Sequence, residues 1–312
     1  EPEMISENSQ LYREHPDWIL SVPERNQCHG RNQYVLDFSR KEVVDRIYEM
    51  MAEILKSGAV SYIKWDMNRS ITECWSPALP ADRQGEVFHR YILGVYDLYE
   101  RLTSEFPKVL FESCASGGAR FDPGILYYAP QGWTSDDTDA VERLKIQYGT
   151  SYCYPTSSIG AHVSASPNHQ VNRSTPLSTR ANVACFGTFG YEQDLNRMPD
   201  QELAQVKEQG DFMKSGRKLL EFGKFYRLVS PFEGNIGAWM TVSENQNEAI
   251  VGWYRILNTP NPPYTRLRLA GLDPEQLYQV SEDGEVLEEF YGDELMYVGI
   301  ITSDGNFGSS SP

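Results

Sequence analysis

The sequence predicts an α/β fold in which parallel strands are joined by helices, followed by an antiparallel β-domain. Two observations predict this arrangement. Helical and strand-like segments alternate between about residues 39 and 190, which is typical of parallel strands with crossover helices. From about residue 236 onward, short alternating runs are separated by N-x-N, N-x-P-N-P-P and D-G turn signals, which indicate antiparallel strands. We therefore expect two domains, 1–230 and 231–312.

The first long helix is predicted over residues 39–58. Ser39 is expected as its N-cap, Glu42 as the partner in a capping box, and Gly58 as the stop. A β-favouring run follows at 60–66. The chain is thus expected to pass from a helix directly into a strand.

The following segments repeat this order. The sequence predicts further helices over about 85–106, 139–147 and 200–227, strands over 109–114 and 131–137, and weaker strands at 152–163 and 182–190. In parallel sheets and barrels, the chemistry lies at the carboxyl ends of the strands. We expect Asp66, Cys114 and Asp136 at such ends.

Composition excludes several classes of partner. The chain has 312 residues and 40% hydrophobic content, enough to bury a substantial core. It carries 28 basic and 44 acidic residues, for a net charge of −16, so it repels nucleic acid and anionic membrane surfaces, and neither is an expected partner. The five cysteines form no C-x-x-C pair and no secretory signal is visible, which favours a cytoplasmic location.

The stretch KWDMN at 64–68 places Lys64, Asp66 and Asn68 at every second position. Because a strand sends alternate side chains to opposite faces, the three are expected to point toward one site. A strand end with a surface ion pair is the simpler interpretation of this stretch taken alone.

A cluster of carboxyl groups occurs in SDDTDA at 135–140. At least one of its aspartates is expected to cap the helix that follows. Like charges this close do not all ionise easily, so one carboxyl is a candidate general acid, whereas the ammonium of Lys64 favours an ionised Asp66. One ionised and one protonated carboxyl is the pair that glycoside cleavage requires.

Other chemistries have less support. The sequence lacks G-x-S-x-G, P-loop, H-E-x-x-H and dinucleotide-binding patterns. His162 and His169 are spaced seven apart, but histidines in polar loops are more often hydrogen-bonding groups than metal ligands. We expect no metal, although an acidic Mg²⁺ site on SDDTDA is the more serious alternative.

Five motifs together resemble the α-galactosidases of glycoside hydrolase family 36, in its large bacterial and fungal subgroup. They are KWDMNR at 64–69, ESCASGGARFDPG at 112–124, WTSDDTDA at 133–140, HVSASPNHQVNRSTPLSTR at 162–180 and FGTFGYEQDL at 186–195. The resemblance implies a (β/α)₈ TIM barrel with a retaining mechanism, Asp66 as the nucleophile and Asp136 as the acid/base.

The same resemblance implies the substrate contacts. Lys64 and Asn68 would bond galactose hydroxyls, while Cys114, the Gly117 backbone and Arg31 would border the same pocket. Trp65 and Trp133 would each either offer an apolar face to the sugar or pack in the core.

The expected activity is that of a retaining exo-α-galactosidase on α-1,6-linked galactose of melibiose- or raffinose-type oligosaccharides. No cofactor is expected, and family resemblance favours a homo-oligomer, a tetramer. Members of the family carry an N-terminal β-domain and the first barrel strands before the segment EPEM, which here is residues 1–4. The chain is therefore expected to be the C-terminal portion of the barrel with a truncated β-domain.

Three alternatives stay open at this point. One is a transglycosylase of the raffinose-synthase kind, which uses the same site but transfers galactose to a sugar. Another is a non-catalytic sugar-binding fragment. The third is a metal-dependent hydrolase built on the acidic cluster.

Overall fold

The computed structural model describes residues 1–260, 265–282 and 284–302. The chain forms two compact units, Glu1–Asp136 and Asp137–Pro312. The boundary between the units lies inside the acidic cluster. The domain boundary expected near residue 230 stays a prediction, and the antiparallel strands of the second unit begin close to that point, at Lys224.

The first unit alternates helices and strands. Its elements are β1 (Met4–Ser6), α1 (Gln10–Glu14), β2 (Gln33–Val35), α2 (Lys41–Lys56), β3 (Tyr62–Trp65), α3 (Val87–Glu105), β4 (Leu110–Ser113), α4 (Pro123–Tyr128) and β5 (Gln131–Trp133), with short 3₁₀ turns at Pro16–Trp18 and Ala81–Glu86. The predicted long helices and strands of this region are present. The short elements β1, α1, β2 and α4 were not predicted, because runs of three to six residues carry too little periodicity.

Strands β3, β4 and β5 of this unit are parallel and in register. In β3 and β4, Lys64 is opposite Glu112, and in β4 and β5, Glu112 is opposite Gln131. The carboxyl ends of all three strands therefore lie at the same edge, as the sequence predicted for Asp66 and Cys114.

Helices α2 and α3 cover one side of these strands with apolar side chains. Val43 and Ile47 of α2 and Leu98 of α3 are buried in one continuous core with Trp65 and Phe111 of the strands. Trp65 stacks on Tyr99, with ring centroids 4.1 Å apart. Burial of these side chains is what fixes β3 against the helices.

The predicted N-cap of α2 is wrong by one residue. Arg40, not Ser39, occupies the N-cap position. The Ser39 hydroxyl donates instead to the carboxylate of Asp37, and Glu42 accepts from Arg40 Nε at 2.8 Å, so no capping box forms. The predicted stop is confirmed, since Gly58 follows the helix with a φ of 71°.

The second unit contains two parallel strands, helices and then antiparallel strands. Its elements are α5 (Ala140–Thr150), β6 (Ile159–Ser164), α6 (Leu177–Ala184), β7 (Thr188–Glu192), α7 (Asp200–Phe222), β8 (Lys224–Val229), β9 (Ile236–Val242), β10 (Ala249–Arg255), β11 (Arg266–Leu267), β12 (Leu277–Glu282), β13 (Glu285–Tyr291) and β14 (Ile300–Ile301). Short 3₁₀ turns occur at Thr156–Ser158 and Leu195–Arg197, and a π-turn at Glu294–Val298. Strands β6 and β7 pair in parallel.

Three predicted boundaries in this unit are wrong. The strand expected at 152–163 begins only at Ile159, and the segment expected as a strand at 182–190 starts inside helix α6. The helix expected over about 200–227 ends at Phe222, and strand β8 begins at Lys224. The antiparallel strands predicted after residue 236 are confirmed, because β8, β9 and β10 form an antiparallel sheet and β12 pairs with β13 in the same way. The second half of the N-x-P-N-P-P turn signal, residues 261–263, lies outside the described residues. No helix in the described part of the chain is long and apolar enough to cross a bilayer.

We predict that Gly94→Ala destabilises the first unit. A Cβ at Gly94 would lie 2.0 Å from the carbonyl oxygen of Phe38, so α3 would have to move away from the chain entering α2. The expected loss is about 2–3 kcal/mol of unfolding free energy, measured by urea denaturation.

Gly85→Ala is the matched control, because a Cβ at Gly85 meets no atom of the described residues within 4 Å. Alanine there should leave the free energy of unfolding unchanged or raise it by about 0.5 kcal/mol. Equal effects of the two substitutions would contradict the close helix contact.

Candidate active site

Three chemically distinctive side chains lie at the carboxyl ends of neighbouring parallel strands in the first unit. Asp66 follows β3 directly, Cys114 follows β4 directly, and Asp136 lies three residues beyond Trp133, the last residue of β5. Two backbone hydrogen bonds join the first two ends: Cys114 N donates to Trp65 O at 2.7 Å, and Met67 N donates to Cys114 O at 3.1 Å. The residues before and after Asp66, Trp65 and Met67, are thus both hydrogen-bonded to Cys114.

The two oxygens of Asp66 have different surroundings. Asn68 Nδ2 donates to Oδ2 at 2.7 Å, whereas Oδ1 is buried and has no hydrogen bond within the described residues. The carboxylate is therefore held through one oxygen, while the other keeps its lone pairs available. The side chains of Asp66 and Asn68 therefore contact each other, as the alternation in KWDMN predicts.

Cys114 lies against Asp66. Burial in the first place, and then the neighbouring Asp66 carboxylate, raises the pKa of the Cys114 thiol to about 12, while the backbone of Gly117 and the Lys64 ammonium act in the opposite direction. The thiol stays protonated near neutral pH, so it acts as a small neutral group that shapes the wall beside Asp66 and not as a nucleophile.

A tight turn follows Cys114 and packs against the backbone of Asp136. Gly117 has a φ of 80°, which L-residues with a side chain adopt only at a cost, and Ala115 N donates to Gly117 O at 3.0 Å. A Cβ at Gly117 would lie 2.8 Å from Asp136 N, and one at Gly118 would lie 2.3 Å from the carbonyl oxygen of Thr134. The turn after β4 thus packs directly on the backbone that carries Asp136.

Lys64 contacts Glu112 and Trp133. Its ammonium is 3.5 Å from Glu112 Oε1 and 4.5 Å from the ring centroid of Trp133, a cation–π contact. Trp133 is 3% exposed, and its buried ring packs against the Lys64 ammonium. Its role as a sugar platform stays a prediction.

Trp65 does not belong to the site. It is 1% exposed, lies in the core cluster of the first unit and donates from its indole nitrogen to Glu3 Oε1 at 2.8 Å. Because it alternates with Lys64 and Asp66 along β3, its ring points to the opposite face. Of the two roles considered for Trp65, core packing is the correct one.

Arg31 reaches the site indirectly. Its guanidinium is 3.0 Å from Glu1 Oε1, and the same oxygen accepts from Asn68 Nδ2 at 2.6 Å. The side chain of Arg31 is 59% exposed. Arg31, Glu1, Asn68 and Asp66 form one polar chain along the rim.

Sequence reasoning missed two buried carboxylates that flank the site. Glu3 is fully buried and accepts from Trp65, Tyr91 and Arg120, and Glu112 is 1% exposed beside Lys64. A signal existed for Glu112, since a single acid in the apolar run VLFESC requires a partner when it is buried.

The rest of the acidic cluster lies in the second unit and is held structurally. Asp139 is the N-cap of α5, accepting from the backbone nitrogens of Val141 and Glu142, and Arg173 forms an ion pair with it. This confirms that one aspartate of the cluster caps the helix. Thr138 is fixed by Asn168, whose Nδ2 donates to its hydroxyl at 3.0 Å.

The histidines and the acidic cluster do not form a metal site in the described ranges. There, no group of three or more His, Cys, Asp and Glu side chains comes together in a way that could hold a metal ion. His162 instead lies 3.8 Å from Glu192. The reactive groups at the strand ends of the first unit are thus the carboxyl groups of Asp66 and Asp136 and the thiol of Cys114.

Comparison with known proteins gives a consistent result. The Melibiase family model matches residues 1–223, and the model of the glycosyl hydrolase family 36 C-terminal domain matches residues 236–311. The chain is 56% identical over 300 residues to alpha-galactosidase AgaA of Geobacillus stearothermophilus and 52% identical over 299 residues to alpha-galactosidase Mel36A of Lactobacillus acidophilus. Each alignment covers 96% of this chain, but only 41% and 40% of those relatives.

Solved structures agree with this result. The crystal structure of AgaA from Geobacillus stearothermophilus matches with a TM-score of 0.95 and 54% identity over 100% of this chain and 43% of that one. An AgaA variant in complex with raffinose matches equally well, with a TM-score of 0.95, 53% identity and the same coverage.

The likeness confirms the predicted fold class, part of a (β/α)₈ barrel followed by antiparallel β-structure. The chain spans about two fifths of the length of the curated relatives it matches. On the family models and on its identity to these relatives, the chain belongs to glycoside hydrolase family 36, the melibiase family.

Proposed function

We propose that the protein containing this chain is a retaining, exo-acting α-galactosidase. It would release terminal α-1,6-linked galactose from melibiose- and raffinose-type oligosaccharides by double displacement. The observation that supports the proposal is the series of contacts from Asp66 through Cys114 and Gly117 to the backbone of Asp136, at neighbouring strand ends of one sheet. Relatives crystallised with raffinose and stachyose support the choice of substrate class.

Asp66 is proposed as the nucleophile. Its Oδ1, which has no hydrogen bond among the described residues, would attack the anomeric carbon while the bond from that carbon to the leaving oxygen breaks, giving a covalent galactosyl-enzyme ester. Asn68 holds the other oxygen at 2.7 Å, so the carboxylate enters the reaction with its plane already fixed. Pre-set geometry of this kind lowers the entropic part of the barrier.

Asp136 is proposed as the acid/base. In the first step it would give its proton to the leaving oxygen, and in the second it would take a proton from the water that hydrolyses the ester, which restores the starting state. Because the Gly117 turn packs on the Asp136 backbone, main-chain contacts would fix the backbone of Asp136 relative to the strand end that carries Cys114.

The remaining site residues are proposed to bind galactose. Lys64 and Asn68 would hydrogen-bond sugar hydroxyls, the Cys114 thiol and the Gly117 backbone would border the ring, Trp133 would support it and Arg31 would act at the rim. The two carboxyl groups supply the chemistry, so the mechanism uses no cofactor. Homo-oligomerisation, as a tetramer, and cytoplasmic location stay predictions.

Asp66→Ala in the complete protein should lower hydrolysis of an aryl α-galactoside by about 10⁴-fold, because the ester can no longer form. Added azide should restore part of the turnover and yield the β-galactosyl azide, detected by NMR.

Asp82→Ala is the matched control, since Asp82 is exposed on a 3₁₀ turn of the same unit and should leave activity unchanged. Full activity of the Asp66 variant would remove Asp66 from the mechanism. An azide product with α configuration would argue against a retaining nucleophile.

Asp136→Ala should separate substrates by their leaving groups. Raffinose hydrolysis should fall by about 10²–10⁴-fold, whereas an aryl galactoside with a good leaving group should lose much less in its first step, because it needs little protonation.

Asp137→Ala tests whether the position within the cluster matters. Asp137 Oδ1 accepts from Asp139 N at 3.0 Å, so its loss should loosen the loop and lower both activities in the same proportion. An Asp136 variant with equal losses on the two substrates would rule out the acid role.

Gly117→Ala should impair catalysis more than stability. The new methyl group would press on Asp136 N, and a displacement of about 1 Å at a catalytic group costs about 10²-fold in kcat/KM. Steady-state kinetics and thermal unfolding of the complete protein measure the two effects.

Gly58→Ala carries a matched backbone strain without the contact. Its φ is 71°, and a Cβ there meets no atom of the described residues within 4 Å. It should lose about 1 kcal/mol of stability and keep its kcat/KM. If the two alanine variants have the same kcat/KM, Asp136 is not positioned by the turn.

A further inference from the structure

Glu112 is a buried carboxylate in the same row of the sheet as Lys64. Glu112 of β4 lies opposite Lys64 of β3 and Gln131 of β5 in the parallel register. Residues opposite one another in neighbouring strands project to the same face. Glu112 is 1% exposed, so its charge has little access to water.

The two oxygens of Glu112 have separate partners. Oε2 accepts from the Tyr62 hydroxyl and from Gln131 Nε2, the latter at 3.1 Å. Oε1 is buried without a hydrogen bond in the described part of the chain, and the Lys64 ammonium lies 3.5 Å from it. Tyr62 and Gln131 therefore fix the carboxylate, and its free oxygen faces the cation.

The position of the Lys64 ammonium determines whether Asp66 is free of an ion pair with it. Lys64 and Asp66 project to the same side of the chain, and both act electrostatically on the Cys114 thiol, so they share a neighbour. A lysine ammonium on its flexible four-carbon stem moves readily to the nearest carboxylate. Without a competing anion, that carboxylate would be Asp66, whose Oδ1 lacks a hydrogen bond among the described residues.

We infer that Glu112 is a positioning residue for the nucleophile. By holding the Lys64 ammonium over Trp133, it keeps the ammonium out of a direct ion pair with Asp66 and aims it at the sugar. An Asp66 neutralised by Lys64 would be a poorer nucleophile, and Lys64 would no longer be available to a sugar hydroxyl. The inference rests on the proposed roles of Asp66 and Lys64.

A kinetic double-mutant cycle in the complete protein tests it, with Glu112→Gln, Lys64→Met and the double variant. Glu112→Gln keeps the shape of the side chain and should lower kcat/KM on an aryl α-galactoside by about 10–100-fold, the range for a lost hydrogen bond or contact to a charged group. In the Lys64→Met background the same change should alter kcat/KM by less than about 2-fold, because its effect passes through Lys64. A fall in kcat as well as a rise in KM is expected for Glu112→Gln alone.

Asp37→Asn is the matched control for loss of a buried charge. Asp37 is fully buried and accepts from the Ser39 and Ser76 hydroxyls, away from Lys64. It should lower the unfolding temperature and leave kcat/KM unchanged. Glu112→Asp, which withdraws the charge by one methylene, is the second variant should Glu112→Gln fail to fold, and its smaller loss should also vanish in the Lys64→Met background.

Additive losses across the cycle, or a wild-type kcat/KM for Glu112→Gln, would overturn the inference. An active parent protein with an additive cycle would leave the proposed function standing. If the parent does not hydrolyse the galactoside, the proposed function fails, and the cycle is then read from galactose affinity by calorimetry, where the same non-additivity is expected.

Discussion

The site depends on the in-register parallel pairing of β3, β4 and β5. This pairing sets Lys64, Glu112 and Gln131 in one row and brings Asp66 and Cys114 to the same edge. Every proposed role follows from that alignment: a slip of one residue would turn Lys64 and Asp66 toward the helices and Trp65 toward the pocket. The core contacts of Trp65 with Tyr99 therefore protect the register as well as the stability of the unit.

Buried charges fix β3 from its other face. Glu3 accepts from the indole nitrogen of Trp65, the hydroxyl of Tyr91 and the guanidinium of Arg120. Burial by itself would lower the pKa of Arg120, but the Glu3 carboxylate outweighs burial and raises it, so the guanidinium stays charged. A buried ion pair contributes little net stability, but its directional bonds define geometry. Trp65 and Lys64, the two residues before Asp66, are each held by a buried carboxylate.

The sequence predicted the long helices, the order of strands and the strand ends that carry Asp66, Cys114 and Asp136, because periodicity and turn residues are local signals. It did not predict the start of α2, since Asp37 competes for the Ser39 hydroxyl. It also left Trp65 undecided and missed Glu3. The partner of Glu3 is Arg120, 117 residues away, and a contact over that separation leaves no local pattern in one sequence.

Two side-chain oxygens at the site, Asp66 Oδ1 and Glu112 Oε1, are buried without hydrogen bonds among the residues that the structure describes. Each such atom costs about 1–3 kcal/mol, and a chain selected for stability alone would replace Asp66 or Glu112 with an apolar residue. Their presence together is better explained by function, since a nucleophile requires an oxygen that no donor occupies. The turn at Gly117 extends the same argument to the backbone: a left-handed residue that only glycine adopts at low cost is kept where it sets the place of Asp136.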